Sequence, residues 1–310
     1  MVYDTIVVGA GAAGCSAAIY ATRYNLKTLM LGGPMPGGLI TEASDVENYP
    51  GFLSISGAEL AQKFLDQAVK LGAEFKIEIV TDIEKQGDIF DVTTYNGKYQ
   101  SKSVILAMGT HHRKLGVPGE LELAGRGVSY CATCDAPFFK GKTVVVVGGG
   151  NSAIEGAQDI SMHAEMVYLV SRSTLKAAPI YIDQLRSRKN IIEIADTNVL
   201  KINGDSKVIS ATLDRPYNNS NELKCDGLFV QIGYQPQSEL AKKMGIKLSD
   251  YGYVDVDAGM GTNVSGVFCA GDINNGSNQL HQQVTSAAEG AISAQSAYRH
   301  IAGMSYLVTA

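Results

Sequence analysis

Asp4-Thr5-Ile6-Val7-Val8-Gly9-Ala10-Gly11-Ala12-Ala13-Gly14 decides the fold of this chain. Asp4 to Val8 is a short, apolar, β-branched run, which suits a strand buried in a parallel sheet. Gly9, Gly11 and Gly14 follow with the spacing of a dinucleotide-binding turn. The first glycine permits the tight turn, the second lets backbone approach a pyrophosphate, and the third allows close helix–strand packing. A helix is predicted from there to about Asn25, and Lys27 to Leu31 reads as a second strand. That is the βαβ context the glycine pattern requires. The helix start offers oriented N–H groups and partial positive charge to phosphates. Ala12 in the turn and Gly38 in the Gly/Pro-rich loop that follows the second strand join the candidate cofactor contacts. The second strand ends at Leu31-Gly32 without the acidic residue that an NAD site uses on the ribose 2′-OH, so the occupant reads as FAD.

The pattern then restarts. Lys142 to Val147 is strand-like, Gly148-Gly149-Gly150-Asn151-Ser152-Ala153 repeats the turn, Asn151 to Ser161 reads as helix, and Met166 to Val170 as strand. Gly148, Gly150, Asn151, Ser152 and Ala153 are candidates for a second dinucleotide. The segment after this unit, Ser171-Arg172-Ser173-Thr174-Leu175-Lys176, carries no acid, which disfavours NAD. Arg172 and Lys176 are cations able to meet a 2′-phosphate, or else solvated surface charges. Elsewhere a helix is predicted over Ala58–Leu71 and strands around Phe75–Ile83, Ile89–Tyr95, Val104–Ala107 and Leu228–Gly233. Gly266 to Asp272 reads as a strand running into a Gly-Asp turn, and Ser286 to Tyr298 as a closing helix. The fold class is α/β.

Between the two glycine turns lies Cys131-Ala132-Thr133-Cys134-Asp135. Cysteines at this spacing can close a small disulfide, and the arrangement lowers thiol pKa and suits thiol–disulfide exchange. Structural zinc would need a second ligand pair, and none is present, so no metal site is expected. Asp135 is either a helix-start residue or a buried acid/base for the thiolate. Cys15, Cys225 and Cys269 sit in apolar surroundings and read as small core residues. Two nucleotide turns and a dithiol together describe a route for electrons from a nucleotide through a flavin to sulfur.

Composition sets the remaining bounds. The chain has 310 residues, 45% hydrophobic and 18% charged, with a formal net charge of −5. Those are the proportions of a globular protein with room for two domains. The acidic balance and the lack of a basic cluster argue against nucleic acid as a partner. Five cysteines, an odd and sparse set, fit a reducing compartment better than a secreted disulfide framework. No apolar run reaches the ~20 residues of a membrane helix. The small apolar stretch from Thr5 to Ala21 lacks a basic leader and carries the patterned glycines, so cytoplasm is the expected location.

These residues, in this order, resemble the low-molecular-weight thioredoxin reductase family of flavoproteins. The resemblance spans nearly the whole chain. It runs through Val46-Glu47-Asn48-Tyr49-Pro50-Gly51, Ala107-Met108-Gly109-Thr110, Gly125 to Asp135, the second glycine turn, Gly271-Asp272 and Gln282 to Ala287. It implies an FAD-binding domain of residues 1–112 and 242–310, split by an inserted nucleotide-binding domain of residues 113–241 that carries the redox pair. Linkers are implied near His112 and near Ala241. It also implies FAD contacts from Gly9, Gly11, Gly14, Asn48, Asp272 and Gln282. Cys134 would face the flavin, Cys131 would attack the disulfide substrate, and Asp135 would protonate the departing thiolate. Thioredoxin or a similar small dithiol protein is the implied partner, and a homodimer the implied assembly. The departure lies at Ser171 to Lys176, where NADPH-using members carry a His-Arg-Arg run followed closely by Arg. That leaves the donor open between NADP(H) and ferredoxin or a deazaflavin. A dithiol oxidase passing electrons to oxygen is the alternative activity.

Overall fold

The computed structural model describes residues 1–304 except 35, 44 and 178. In chain order the first stretch is β1 (Val2–Val8), α1 (Ala12–Arg23), β2 (Thr28–Gly32), α2 (Gly57–Lys70), β3 (Glu74–Ile77), β4 (Val80–Gln86), β5 (Ile89–Thr94), β6 (Lys98–Leu106) and β7 (Thr110–His112). The middle stretch is β8 (Val128–Ser129), α3 (Ala132–Asp135), β9 (Thr143–Val147), α4 (Asn151–Ser161), β10 (Met166–Val170), α5 (Pro179–Arg186), β11 (Ile191–Ile194), β12 (Val199–Gly204), β13 (Val208–Tyr217), β14 (Ser220–Lys224), β15 (Gly227–Val230) and β16 (Tyr234–Pro236). The chain closes with α6 (Glu239–Lys243), β17 (Val267–Cys269) and α7 (Gln283–Ile301). It forms two units, residues 1–111 with 235–310, and residues 112–234. Ala241, near which a linker is implied, is fully buried on α6 of the first unit.

The first unit is built on a sheet in the order β3-β2-β1-β6-β5-β4, with β17 also paired to β6. β1 runs parallel to β2 and β6, with Val7 opposite Met30 and Ile105. β4 and β5 are antiparallel. Ile6, Val7, Leu29, Met30, Ile105 and Leu106 are buried at the sheet centre, which is why β1 and β2 read as continuous apolar runs. The strand predicted over Phe75–Ile83 is instead two. β3 pairs with β2 at one edge and β4 with β5 at the other, and Glu78-Ile79 carries the chain between them. α2 starts on Ser56, whose Oγ accepts from the Glu59 N–H at 3.2 Å, the N-cap geometry of a Ser-x-x-Glu run.

α1 is made almost wholly of small residues on its buried side, so α7 lies against it at very short range. A Cβ built at Gly290 of α7 would stand 2.2 Å from the carbonyl oxygen of Ala13. Gly290→Ala is therefore expected to push the helices apart and to cost about 1–3 kcal/mol. A fall in the urea unfolding midpoint by far-UV circular dichroism checks it, and an unchanged midpoint contradicts the packing argument.

The second unit holds a five-stranded parallel sheet, β11-β10-β9-β15-β8, and a separate antiparallel sheet, β12-β13-β14. Val144, Val145 and Val146 of β9 are fully buried at its centre. Two βαβ units, one in each body, give the α/β fold predicted from the paired glycine turns.

Candidate functional site

The first glycine turn connects β1 to α1 as the sequence predicts. Gly9 has φ of +117°, and a Cβ there would stand 2.1 Å from the Ala107 carbonyl oxygen, so only glycine fits. Its N–H donates to Leu31 O at 2.8 Å. Gly11 precedes α1 without any side-chain cap, leaving the first N–H groups of a twelve-residue helix to an outside acceptor. Gly37 lies against this turn, its N–H donating to Ala10 O at 2.9 Å. Gly38 thereby comes beside Gly11, with a Cβ built on Gly38 lying 3.9 Å from the Gly11 Cα.

The Gly271-Asp272 turn after β17 reaches the same helix end, since a Cβ on Gly271 would meet that of Ala13 at 2.8 Å. Asp272 Oδ1 accepts from Ser286 Oγ at 2.7 Å. Burial pushes the Asp272 carboxyl above its ordinary range, opposed by that hydrogen bond and by His281. Asn48 Nδ2 donates to Gln282 Oε1 at 3.1 Å, joining two predicted contacts far apart in sequence. Next to it, Gln283 Oε1 is buried without a hydrogen-bond partner among the described residues. An uncapped helix start, a strand-end carboxylate and an unmatched buried acceptor together fit a phosphate-bearing group with hydroxyl and N–H donors, as FAD is. Sequence reading missed Ser286 and Gln283, although Ser286 and Glu289 share one face of α7, just past the Gln282 that caps it.

In the second unit, Gly148 (φ +152°) repeats the tight turn, with a Cβ there 2.2 Å from Gln231 O. Gly150 precedes α4 with no side-chain cap and with open space where a Cβ would be. Asn151 and Ser152 are exposed at the helix start and Ala153 is buried beneath it. Ser171 is buried and turned inward, its Oγ donating to Ser173 O at 2.8 Å. Arg172 and Lys176 are both exposed, and the Lys176 N–H donates to Gly149 O at 2.7 Å, tying that segment to the glycine turn.

Cys131 and Cys134 of the same unit form a disulfide, with Cα atoms 5.3 Å apart. Cys131 caps α3, its Sγ accepting from the Cys134 N–H at 3.2 Å. The pair is held from behind. Ser129 Oγ accepts from the Cys131 N–H at 3.1 Å, and Gln231 Nε2 donates to Tyr130 O at 2.9 Å. Gly156 of α4 admits the Ala132 methyl, to 3.1 Å from a built Cβ. Asp135 is half-buried, and burial raises its carboxyl above the ordinary value, opposed in part by the neighbouring Ser129 hydroxyl. Sequence reading also missed Glu120, 1% exposed. Its carboxylate accepts from the N–H groups of Leu115 and Gly116 at 2.9 and 2.7 Å and from Tyr130 Oη at 3.0 Å. Cys15, Cys225 and Cys269 are buried and outside any disulfide, and burial drives the Cys15 and Cys225 thiols up to about 12. They are poor nucleophiles, which leaves the Cys131–Cys134 pair as the reactive sulfur among the described residues. No group of three or more metal-ligating side chains occurs among them.

Residues 3–291 match the family model described as pyridine nucleotide-disulphide oxidoreductase. The thioredoxin reductase of Bacillus subtilis (strain 168) is 41% identical over 303 residues, 97% of this chain and 95% of that protein. The crystal structure of thioredoxin reductase from Streptococcus pyogenes MGAS5005 superposes with a TM-score of 0.90 at 36% identity, covering 98% of this chain and 99% of that one. A ferredoxin-flavin thioredoxin reductase from Clostridium acetobutylicum is also similar, with 32% identity, 98% coverage of each chain and a TM-score of 0.54. The dithiol, the two glycine turns and these relationships place the chain in the pyridine nucleotide-disulphide oxidoreductase family, among the FAD-dependent low-molecular-weight thioredoxin reductases.

Proposed function

We propose that this chain reduces the disulfide of thioredoxin, or of a similar small dithiol protein, through Cys131 and Cys134, with electrons that enter at the second glycine turn. The observation that carries this reading is the Cys131–Cys134 disulfide capping a short helix with a half-buried Asp135 as the next residue. FAD supplies the two-electron chemistry that links a nicotinamide to a disulfide. Gly9, Gly11, Ala12, Gly14 and Gly38 hold its phosphate region, and Asn48, Asp272 and Gln282 its hydroxyls and ring. Two electrons and two protons convert the Cys131–Cys134 disulfide to a dithiol. The Cys131 thiolate then attacks the partner's disulfide, forming a mixed disulfide and expelling one partner sulfur, which Asp135 protonates. Cys134 attacks Cys131, releasing the second partner sulfur and restoring the starting disulfide, so that electrons balance.

Gly148, Gly150, Asn151, Ser152 and Ala153 form the nicotinamide dinucleotide site, with Arg172 and Lys176 on the adenosine 2′-phosphate. The Lys176–Gly149 hydrogen bond favours this assignment, because it fixes the cation-bearing segment beside the turn that meets the pyrophosphate. Arg172→Ala is expected to raise KM for NADPH about tenfold, the loss of one charge-assisted contact, and to leave KM for NADH unchanged. Equal effects on both would remove Arg172 from the 2′-phosphate site. Ferredoxin as donor is the second reading. It is favoured by the buried, inward-turned Ser171 at the strand end and by the similarity to the ferredoxin-flavin enzyme. Anaerobic stopped-flow bleaching of the flavin by NADPH, NADH and reduced ferredoxin decides between them. Fast reduction by NADPH supports the first reading, and failure of both nicotinamides with fast reduction by ferredoxin supports the second. The family resemblance supports a homodimer, and three buried thiols left outside disulfides suit a reducing cytoplasm. No helix among the described residues is long and apolar enough to cross a membrane.

A further inference from the structure

We infer that Glu289 is a positioning residue for FAD, acting through the Gly271–Asn274 turn to hold Asp272 in place. The inference rests on the reading above that Asp272 contacts the flavin cofactor.

Glu289 lies on α7 and is 3% exposed. A buried carboxylate is costly unless its oxygens are matched. It is not in a salt bridge with any Lys, Arg or His among the described residues. Its Oε2 instead accepts two hydrogen bonds, from the Gly271 N–H and from Asn274 Nδ2, both at 2.8 Å. Those donors bracket Asp272. Asn274 is itself tied to the turn, since its N–H donates to Gly271 O at 3.1 Å and its Oδ1 accepts from the Gly276 N–H at 2.6 Å. One turn of α7 earlier, Ser286 donates to Asp272 Oδ1 at 2.7 Å. One helix face thus grips the backbone on either side of Asp272 and the Asp272 side chain as well.

An apolar residue would fill this position on α7 at lower cost if packing were the only requirement. It would leave the Gly271 N–H buried and unmatched and release the turn. The Gly271 backbone sits against the first turn of α1, where the phosphate region of FAD is placed, so displacement there moves Asp272 relative to both halves of the cofactor site. Nothing local in the sequence signals this role, because a single acid on a helix ordinarily marks a solvated face.

The test is FAD release from the holoenzyme, followed by the fluorescence of free flavin, for Asp272→Ala, Glu289→Ala, Glu289→Gln and the double alanine variant. Asp272→Ala and Glu289→Ala are each expected to release FAD about 10–100-fold faster. Because both act through one turn, the double variant should be no more than about threefold faster than Asp272→Ala alone. Glu289→Gln keeps an acceptor for both donors and should stay within about threefold of the parent. Glu289→Met, close in size, carries the same expectation as Glu289→Ala and replaces it if that variant does not fold. Wild-type release from Glu289→Ala, or single effects that multiply in the double variant, overturns the inference while leaving Asp272 as a contact. Wild-type release from Asp272→Ala overturns the Asp272 assignment and this inference with it.

Discussion

Cys131→Ser and Cys134→Ser each abolish thioredoxin reduction, by on the order of 10³-fold or more, because neither half of the exchange proceeds with one sulfur. The two variants are expected to fail differently. With Cys131 replaced, Cys134 remains as a single thiol. If it is the sulfur that faces the flavin, its thiolate at neutral pH gives a long-wavelength absorption band. With Cys134 replaced, that band is absent, and the remaining Cys131 reacts with an added aromatic disulfide to give a stable mixed disulfide. Static absorption spectra and a thiol-exchange assay on the two variants read both expectations. A band in Cys134→Ser and none in Cys131→Ser would exchange the two roles. Residual turnover in both variants would move the chemistry to another sulfur. The three other cysteines are deeply buried, and the Cys15 and Cys225 thiols are raised to about 12, so that last outcome is not expected.

The parts of the fold legible in the sequence are those where the signal is local. β1, the Gly9 turn and α1 follow one another within a short segment, and each is enforced by burial or by contacts that exclude a side chain. The second glycine turn is legible for the same reason, as is the redox pair, whose spacing alone lets one helical turn close it. The β12-β13-β14 sheet was not legible. Its pairing is interrupted by bulges between Val199 and Lys201, between Asn203 and Gly204, and between Thr212 and Tyr217, which break the alternation that marks a half-buried strand. The division of Phe75–Ile83 into β3 and β4 was hidden because both pieces have strand-like composition, and only their partners differ. Glu120 and Glu289 were missed for other reasons. Glu289 takes its donors from a turn that only the tertiary fold brings near, whereas Glu120 takes its backbone donors from four and five residues earlier in an irregular loop that carries no periodic signal. The Asn48–Gln282 contact shows the opposite case. Each residue was named through the family resemblance, and the fold then joined them across 234 positions.

Asp135→Asn is expected to slow thioredoxin reduction by about 10²–10⁴-fold while making the folded protein more stable at pH 7. Both effects follow from the environment of one carboxyl. Burial raises Asp135 above its ordinary value, and the neighbouring Ser129 hydroxyl only partly opposes this. A raised value extends upward the pH range over which the proton is available to the departing thiolate, so the rate of the exchange half-reaction falls as pH rises through the folded-state value of Asp135. The Asn variant has no such titration and should show a low, flat profile in that range. Stability takes the same sign. A carboxyl raised on folding contributes stability that is fully present below its unfolded value, ~3.9, and is lost as pH rises through the folded value. At pH 7, above the unfolded value, burying this carboxyl is therefore a burden on the fold, and the neutral Asn relieves it. The variant should melt a few degrees higher at pH 7, and the difference should shrink to nothing toward pH 3. Single-turnover exchange rates across pH and thermal melts at the two ends test the two halves independently. A lower melting temperature at pH 7 would mean that the carboxylate is stabilised by its surroundings, not strained by burial. An Asn variant that kept the parent's pH profile would assign the proton to another group.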